Sequence, residues 1–114
     1  MNVEVSIISG LGTVLDVTVY ADVPKNRPDS FVTVERTGGG RDAYGLIDRP
    51  TIAVQSWAKT RYEAAQLANT VDAVMHSLVG YDGITSVVTN TITNFPSSDG
   101  VPRYQGLYEI TNHS

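Results

Sequence analysis

From Val17 the chain alternates apolar and polar positions, with Val17, Val19, Ala21 and Val23 set against Thr18, Tyr20 and Asp22. A period of two puts every second side chain on one face of a pleated strand, so residues 17 to 23 are predicted as a half-buried strand that Pro24 stops. Residues 31 to 37 and 51 to 57 carry the same β-branched signal. Residues 84 to 93 and 103 to 111 are predicted as a final antiparallel hairpin around the Pro-, Ser- and Gly-rich loop 95 to 102. The period changes to 3.6 in only one place with clear boundaries. Ala64, Leu67, Ala68, Val71, Val74, Met75 and Leu78 recur at three- and four-residue steps, and Thr60-Arg61-Tyr62-Glu63 has the spacing of a capping box. A helix over 61 to 79 follows, with Gly80 as its C-terminal cap.

Residues 3 to 15 fit both periods. Val3, Val5 and Ile7 alternate, whereas Ile7, Ile8, Leu11, Val14 and Leu15 fall at helical spacing. A short helix is the preferred reading, broken or ended near Gly10 and Gly12, because each glycine costs ~1 kcal/mol in a helix interior. Residues 24 to 30 hold two prolines and read as a turn. Gly38-Gly39-Gly40 is expected to end the second strand and to be very mobile or sharply bent, leaving residues 38 to 50 as a loop with Tyr44, Leu46 and Ile47 in its middle. The expected fold is α+β: a mixed, mainly antiparallel sheet of four to five strands, with the long helix and a short N-terminal helix packed on it.

Composition supports a single strand-rich domain over residues 1 to 114. Val, Thr and Ile together number 34 against 6 Leu, and a chain of 114 residues has room for one core. Cysteine is absent, which removes disulfides, thiolate metal sites and a cysteine nucleophile. No apolar run approaches the ~20 residues that span a bilayer, and the start Met1-Asn2-Val3-Glu4 lacks the basic region of a secretory signal, so a soluble protein made in a cytoplasm is expected. The net charge of −4 argues against wrapping nucleic acid, since neutralising phosphates needs a basic surface. Six of the eight cations are Arg and there are six Tyr, a bias found in protein interfaces.

A search for chemistry yields little. His76 and His113 belong to no spaced ligand set, and His76 reads as a solvated helix-face residue. Gly38-Gly39-Gly40 lacks the Gly-Lys-Ser/Thr and following helix that make glycine loops bind phosphate. Glu35, Asp42 and Asp48 form no acid and base pair that sequence alone can bring together, and Arg36, Arg41 and Arg49 stand ready to neutralise them. Trp57, just before the capped helix, reads as a core anchor sooner than a stacking platform. The expectation is a protein without catalytic, cofactor or metal sites.

The run Asp22-Val23-Pro24-Lys25-Asn26-Arg27-Pro28-Asp29-Ser30-Phe31-Val32-Thr33-Val34-Glu35-Arg36-Thr37-Gly38-Gly39, then Ile47-Asp48-Arg49-Pro50 and Val54-Gln55-Ser56-Trp57-Ala58, resembles tail terminator (tail completion) proteins of long-tailed phages and prophages of actinobacteria. The resemblance spans roughly residues 20 to 79 and the order of elements; the N-terminal segment departs from it, because such proteins open with a cleaner amphipathic helix. It implies a homohexameric ring in the virion neck that caps the tail tube, ends its polymerisation and joins the tail to a head-completion or stopper protein. DNA would pass through the lumen without specific binding, and no membrane or cofactor would be involved. Within that reading the protein interface is expected at Arg36, Arg41, Asp42, Tyr44, Leu46, Ile47, Asp48 and Arg49, with Phe95 and Arg103 beside the second loop. Another head-tail connector component, such as a head-closure protein, and a small-molecule binding α+β module are the alternatives; the latter needs inward polar residues that the helix stripe lacks.

Overall fold

A computed structural model describes residues 2–41 and 47–113, Arg41 by its backbone alone. Among these residues the chain forms α1 (Val3–Val14), β1 (Val19–Tyr20), β2 (Phe31–Arg41), β3 (Ile47–Trp57), α2 (Arg61–Ser77), β4 (Ile84–Asn94) and β5 (Arg103–His113). The five strands make one mixed sheet in the order β1-β2-β3-β5-β4, in which only the β1–β2 pair is parallel. The α+β reading therefore holds.

α2 begins where its capping box puts it. The Thr60 hydroxyl accepts from the Glu63 amide at 3.1 Å and donates to the Glu63 carboxylate at 3.2 Å, which satisfies one orphan donor of the first turn. The helix ends at Ser77 with Leu78 as its cap, slightly short of the expected 79. Its stripe of Val71, Val74 and Met75 meets Val32, Val34, Ile52, Val54, Tyr108 and Ile110, alternate residues of β2, β3 and β5, in one core. α1 packs on the same face through Val3, Ile7 and Leu11, leaving the other face of the sheet without a helix.

Three expectations need correction. α1 does not break at its glycines but runs to Val14, capped by the Asn2 side chain, which accepts from the Glu4 amide at 2.9 Å. Gly10 is buried, and a Cβ there would stand 2.7 Å from Leu78 Cδ2, so this glycine gives up helix propensity for a close approach of α1 to the end of α2. β1 is two residues long, not seven, because it has a partner only at Val32 and Thr33 and, among the described residues, no strand lies beyond it. The expected loop 38 to 50 is mostly strand. β2 continues through all three glycines, with Gly38 opposite Thr51, Gly39 opposite Pro50, Gly40 opposite Arg49 and Arg41 opposite Asp48. A register shift between Arg36 and Gly38 and a positive φ of 92° at Gly39 absorb the irregularity inside the ladder. Asp42, Tyr44 and Leu46 lie outside the described residues. No described helix is long and apolar enough to cross a membrane.

Candidate functional site

Those of the expected interface residues that the structure describes fall at two ends of the sheet. Asp48 and Trp57 bound β3 closely, and at ~3.3 Å per residue they are roughly 30 Å apart. Register places Asp48 beside Arg41 and Asn112 at one end, and Trp57 beside Phe31 and Arg103 at the other.

At the hairpin end, Arg36 grips Asp48 with two parallel bonds, Nη1 to Oδ2 at 3.0 Å and Nη2 to Oδ1 at 3.1 Å, while its Nε donates to the Gly38 carbonyl at 3.0 Å. Asp48 is 3% exposed, so this fork neutralises a buried carboxylate, as the neighbouring arginines suggested. Arg36 and Asp48 thus hold the β2–β3 hairpin together on its helix-side face. Asn112, opposite Asp48, is also buried, and its Oδ1 has no hydrogen-bond partner among the described residues. Arg49 is exposed and, with Val88 and Glu109, lines a shallow pocket of about 160 Å³ on the helix-free face. Ile47 is half-buried.

At the far end a ladder of rings and guanidinium crosses the whole sheet in strand order. Tyr20 meets Phe31 edge-on with centroids 6.0 Å apart, and Phe31 stacks on Trp57 at 5.3 Å and 11°. The Arg103 guanidinium carbon then lies 4.7 Å from the Trp57 ring and 4.6 Å from that of Phe95. A second guanidinium, that of Arg27 from the turn before β2, stands 5.4 Å from the same indole. Cation–π attraction grows as water is excluded. Trp57 is 2% exposed, so it is a core anchor as expected, yet it anchors a cluster on the helix-free side, outside the main core.

A polar row lies directly beside this ladder. Trp57 Nε1 donates to Thr33 Oγ1 at 3.1 Å, Thr33 Oγ1 donates to Gln55 Oε1 at 3.1 Å, and Gln55 Nε2 donates to Gln105 Oε1 at 3.0 Å. Arg103 donates through Nε to the Phe95 carbonyl at 2.7 Å and reaches Gln55 Oε1 at 3.5 Å through Nη1. Burial pulls the Arg103 guanidinium below its ordinary pKa, against the opposing charge of Asp99. Loops 24 to 30 and 95 to 102 close over this end and leave an open pocket of about 360 Å³ between Pro28, Phe31, Trp57, Val101 and Pro102. In Trp57→Phe the indole donor is lost while the ring stack survives, leaving Thr33 Oγ1 without the donor that it accepts from. A loss of about 1–3 kcal/mol is expected in urea unfolding followed by far-UV circular dichroism, since the variant has no tryptophan to report fluorescence.

Sequence reading also missed a network under α2. Asp72 turns to the sheet and accepts from Thr89 Oγ1 at 2.7 Å and from the Tyr108 hydroxyl at 3.1 Å. Burial, with the Asp72 carboxylate beside it, pushes the Tyr108 hydroxyl well above its ordinary pKa. Thr89 spends its one hydrogen on Asp72, so His76 Nε2, 2.7 Å away, donates to it. His76 is exposed as expected but is tied to β4. The i, i+4 spacing of Asp72 and His76 was the only sign of this arrangement in the sequence. Among the described residues no three His, Asp or Glu side chains gather to hold a metal ion. Compared with known proteins, the chain matches no family model and no curated protein.

Proposed function

We propose that the protein is a structural component of a phage neck, a tail terminator that forms a homohexameric ring, caps the tail tube, and joins it to the head-completion or stopper protein. The observation that carries this reading is the position of the residues that resemble such proteins. Residues 22 to 39, 47 to 50 and 54 to 58 build one continuous piece of the fold, namely the turn before β2, the β2–β3 hairpin and the entry to α2. The resemblance therefore follows a structural unit and is not scattered over the surface.

The edges of the sheet support assembly. β4 is an edge strand of 11 residues without a charged residue or proline, the kind of edge that soluble monomers usually protect. At the opposite edge β1 covers only Val32 and Thr33, so most of β2 has no neighbour there among the described residues. A ring closes through two different, complementary patches on each copy, and two dissimilar free edges meet that need. The hairpin end, with exposed Arg49 and with residues 42 to 46 beyond β2, is assigned to the tail-tube protein. In this reading the protein is not an enzyme, uses no cofactor, acts in the virion after synthesis in the host cytoplasm, and lets DNA pass through an acidic ring without specific binding.

Light scattering of the purified chain should give six copies, and negative-stain images should show rings with a central hole. A monomer at all concentrations tested would overturn the reading in favour of the small-molecule module. Replacing Tyr44, Leu46 and Ile47 together by Ser should leave the melting transition in place while tails lose length control or fail to join heads. Normal infectious particles from that variant would remove the hairpin end from the tube contact.

A further inference from the structure

One row of residues crosses the sheet at the glycine stretch. Gly38 stands opposite Thr51, Thr51 opposite Glu109 and Glu109 opposite Val88, so the row starts on β2 and ends on the edge strand β4. Its two ends are unlike. Val88 is 49% exposed, whereas Gly38 has no side chain and nothing within 4 Å of the place where a Cβ would stand. One side of the sheet thus carries a knob and the other a gap at the same height.

Both edges also have backbone to offer. Among the described residues, residues 85 to 94 of β4 make backbone bonds only to β5, and residues 34 to 40 of β2 only to β3, while the Gly38 carbonyl takes Arg36 Nε as well. A strand with one neighbour leaves part of its N–H and C=O groups for a second. Register shifts at Ile84/Ser86 and Thr89/Thr91 in β4, and at Arg36/Gly38 in β2, bend these edges and confine an added ladder to residues 86 to 89 and 38 to 41. Residues 86 to 89 and 38 to 40 hold no charge, so pairing them buries none. Strand direction then selects the partner. β2 and β5 run one way, β3 and β4 the other. A second copy turned about an axis parallel to the strands therefore sets its β2 antiparallel to β4 of the first, and each further copy repeats the contact until the ring closes. Two β4 strands paired with each other would stop at a dimer and leave the glycine edge uncovered.

We propose that copies of this chain join edge to edge, with residues 86 to 89 of one pairing antiparallel to residues 38 to 41 of the next and Val88 seated over Gly38. The inference rests on the ring reading for its occupant, a second copy, and names the strands that close the ring. The helices follow the strands. α1 packs against β2 and α2 against β4, so α1 of the second copy comes beside α2 of the first and adds contact area that a four-residue ladder lacks.

The chain has no cysteine, so an introduced pair reports on this contact alone. Val88→Cys combined with Gly38→Cys, oxidised with copper phenanthroline, should give a ladder of covalent species on denaturing electrophoresis that ends at six, while each single variant stays monomeric there. Val88→Cys with Gly40→Cys covers a stagger of two residues, and a ladder from either pair supports the contact. A ladder that ends at another number keeps the edge contact and overturns only the hexamer. Rings in negative stain without cross-links from either pair would overturn the edge contact and leave the ring reading standing, whereas a parent chain that is monomeric throughout would overturn both. Dimers from Val88→Cys alone would mean that β4 pairs with itself, against the proposal. Val88→Lys supplies a second measurement, because a lysine on an edge blocks strand addition. It should leave the melting transition in place while light scattering falls from six copies to one; rings that survive this substitution would also overturn the edge contact.

Discussion

Val71→Asp is expected to lower the melting temperature by about 15 °C or more, or to abolish the cooperative transition, because a carboxylate in this position has no partner and no water. Val71 is 1% exposed and sits at the centre of the α2 stripe, inside the cluster that joins both helices to β2, β3 and β5. The substitution removes apolar burial and adds a desolvated charge, together several kcal/mol against a total stability of about 5–15 kcal/mol for a domain of this kind. The neighbouring residue supplies the control. Thr70 is exposed on the same turn, so Thr70→Asp should stay within about 0.5 kcal/mol of the parent. Leu67, on the same stripe but only half-buried, should fall between the two as Leu67→Asp. Thermal unfolding by circular dichroism ranks the three variants; a normal melt for Val71→Asp would mean that α2 does not cover the sheet.

What could be read in the chain depended on whether its signal was local. α2 was legible to within two residues because a capping box and a seven-residue stripe both lie within its own span. β4 and β5 were legible because consecutive strands joined by a short loop pair with each other more often than not. The alternation of residues 17 to 23 is real, but a strand exists only where a partner lies alongside, and the partner for β1 ends after two residues. Gly10 reads as a helix breaker until Leu78, 68 residues later, is found against it. The ladder at Trp57 was the least accessible feature. It needs β5 inserted between β3 and β4, which brings Arg103 beside Trp57 although the two are far apart in the chain. Arg103 and Phe95 were singled out for a loop, and the structure unites them around one guanidinium.

The three glycines make the sharpest test of the hairpin, because they look alike in the sequence and differ in the fold. Gly39 has a φ of 92°, a backbone region that costs a residue with a side chain about 1–3 kcal/mol. A Cβ built there would also stand 2.6 Å from Pro50 Cα and run into the carbonyl oxygen of Arg49, and both are backbone atoms of the paired strand that cannot swing aside. At Gly38 and Gly40 a Cβ meets nothing within 4 Å. Gly39→Ala is therefore expected to cost about 3 kcal/mol or more, by adding overpacking to the conformational term, whereas Gly38→Ala and Gly40→Ala should be near neutral. The damage should stay local at first. Hydrogen exchange in Gly39→Ala should speed up from Gly38 to Arg41 and from Asp48 to Thr51, while the amides of α2 keep their protection until global unfolding. Three mobile loop glycines would give the opposite pattern, with all three alanine variants slightly stabilised through a less flexible unfolded chain. That result would return residues 38 to 50 to a loop and remove the Arg36 to Asp48 fork from the forces that hold the β2–β3 hairpin.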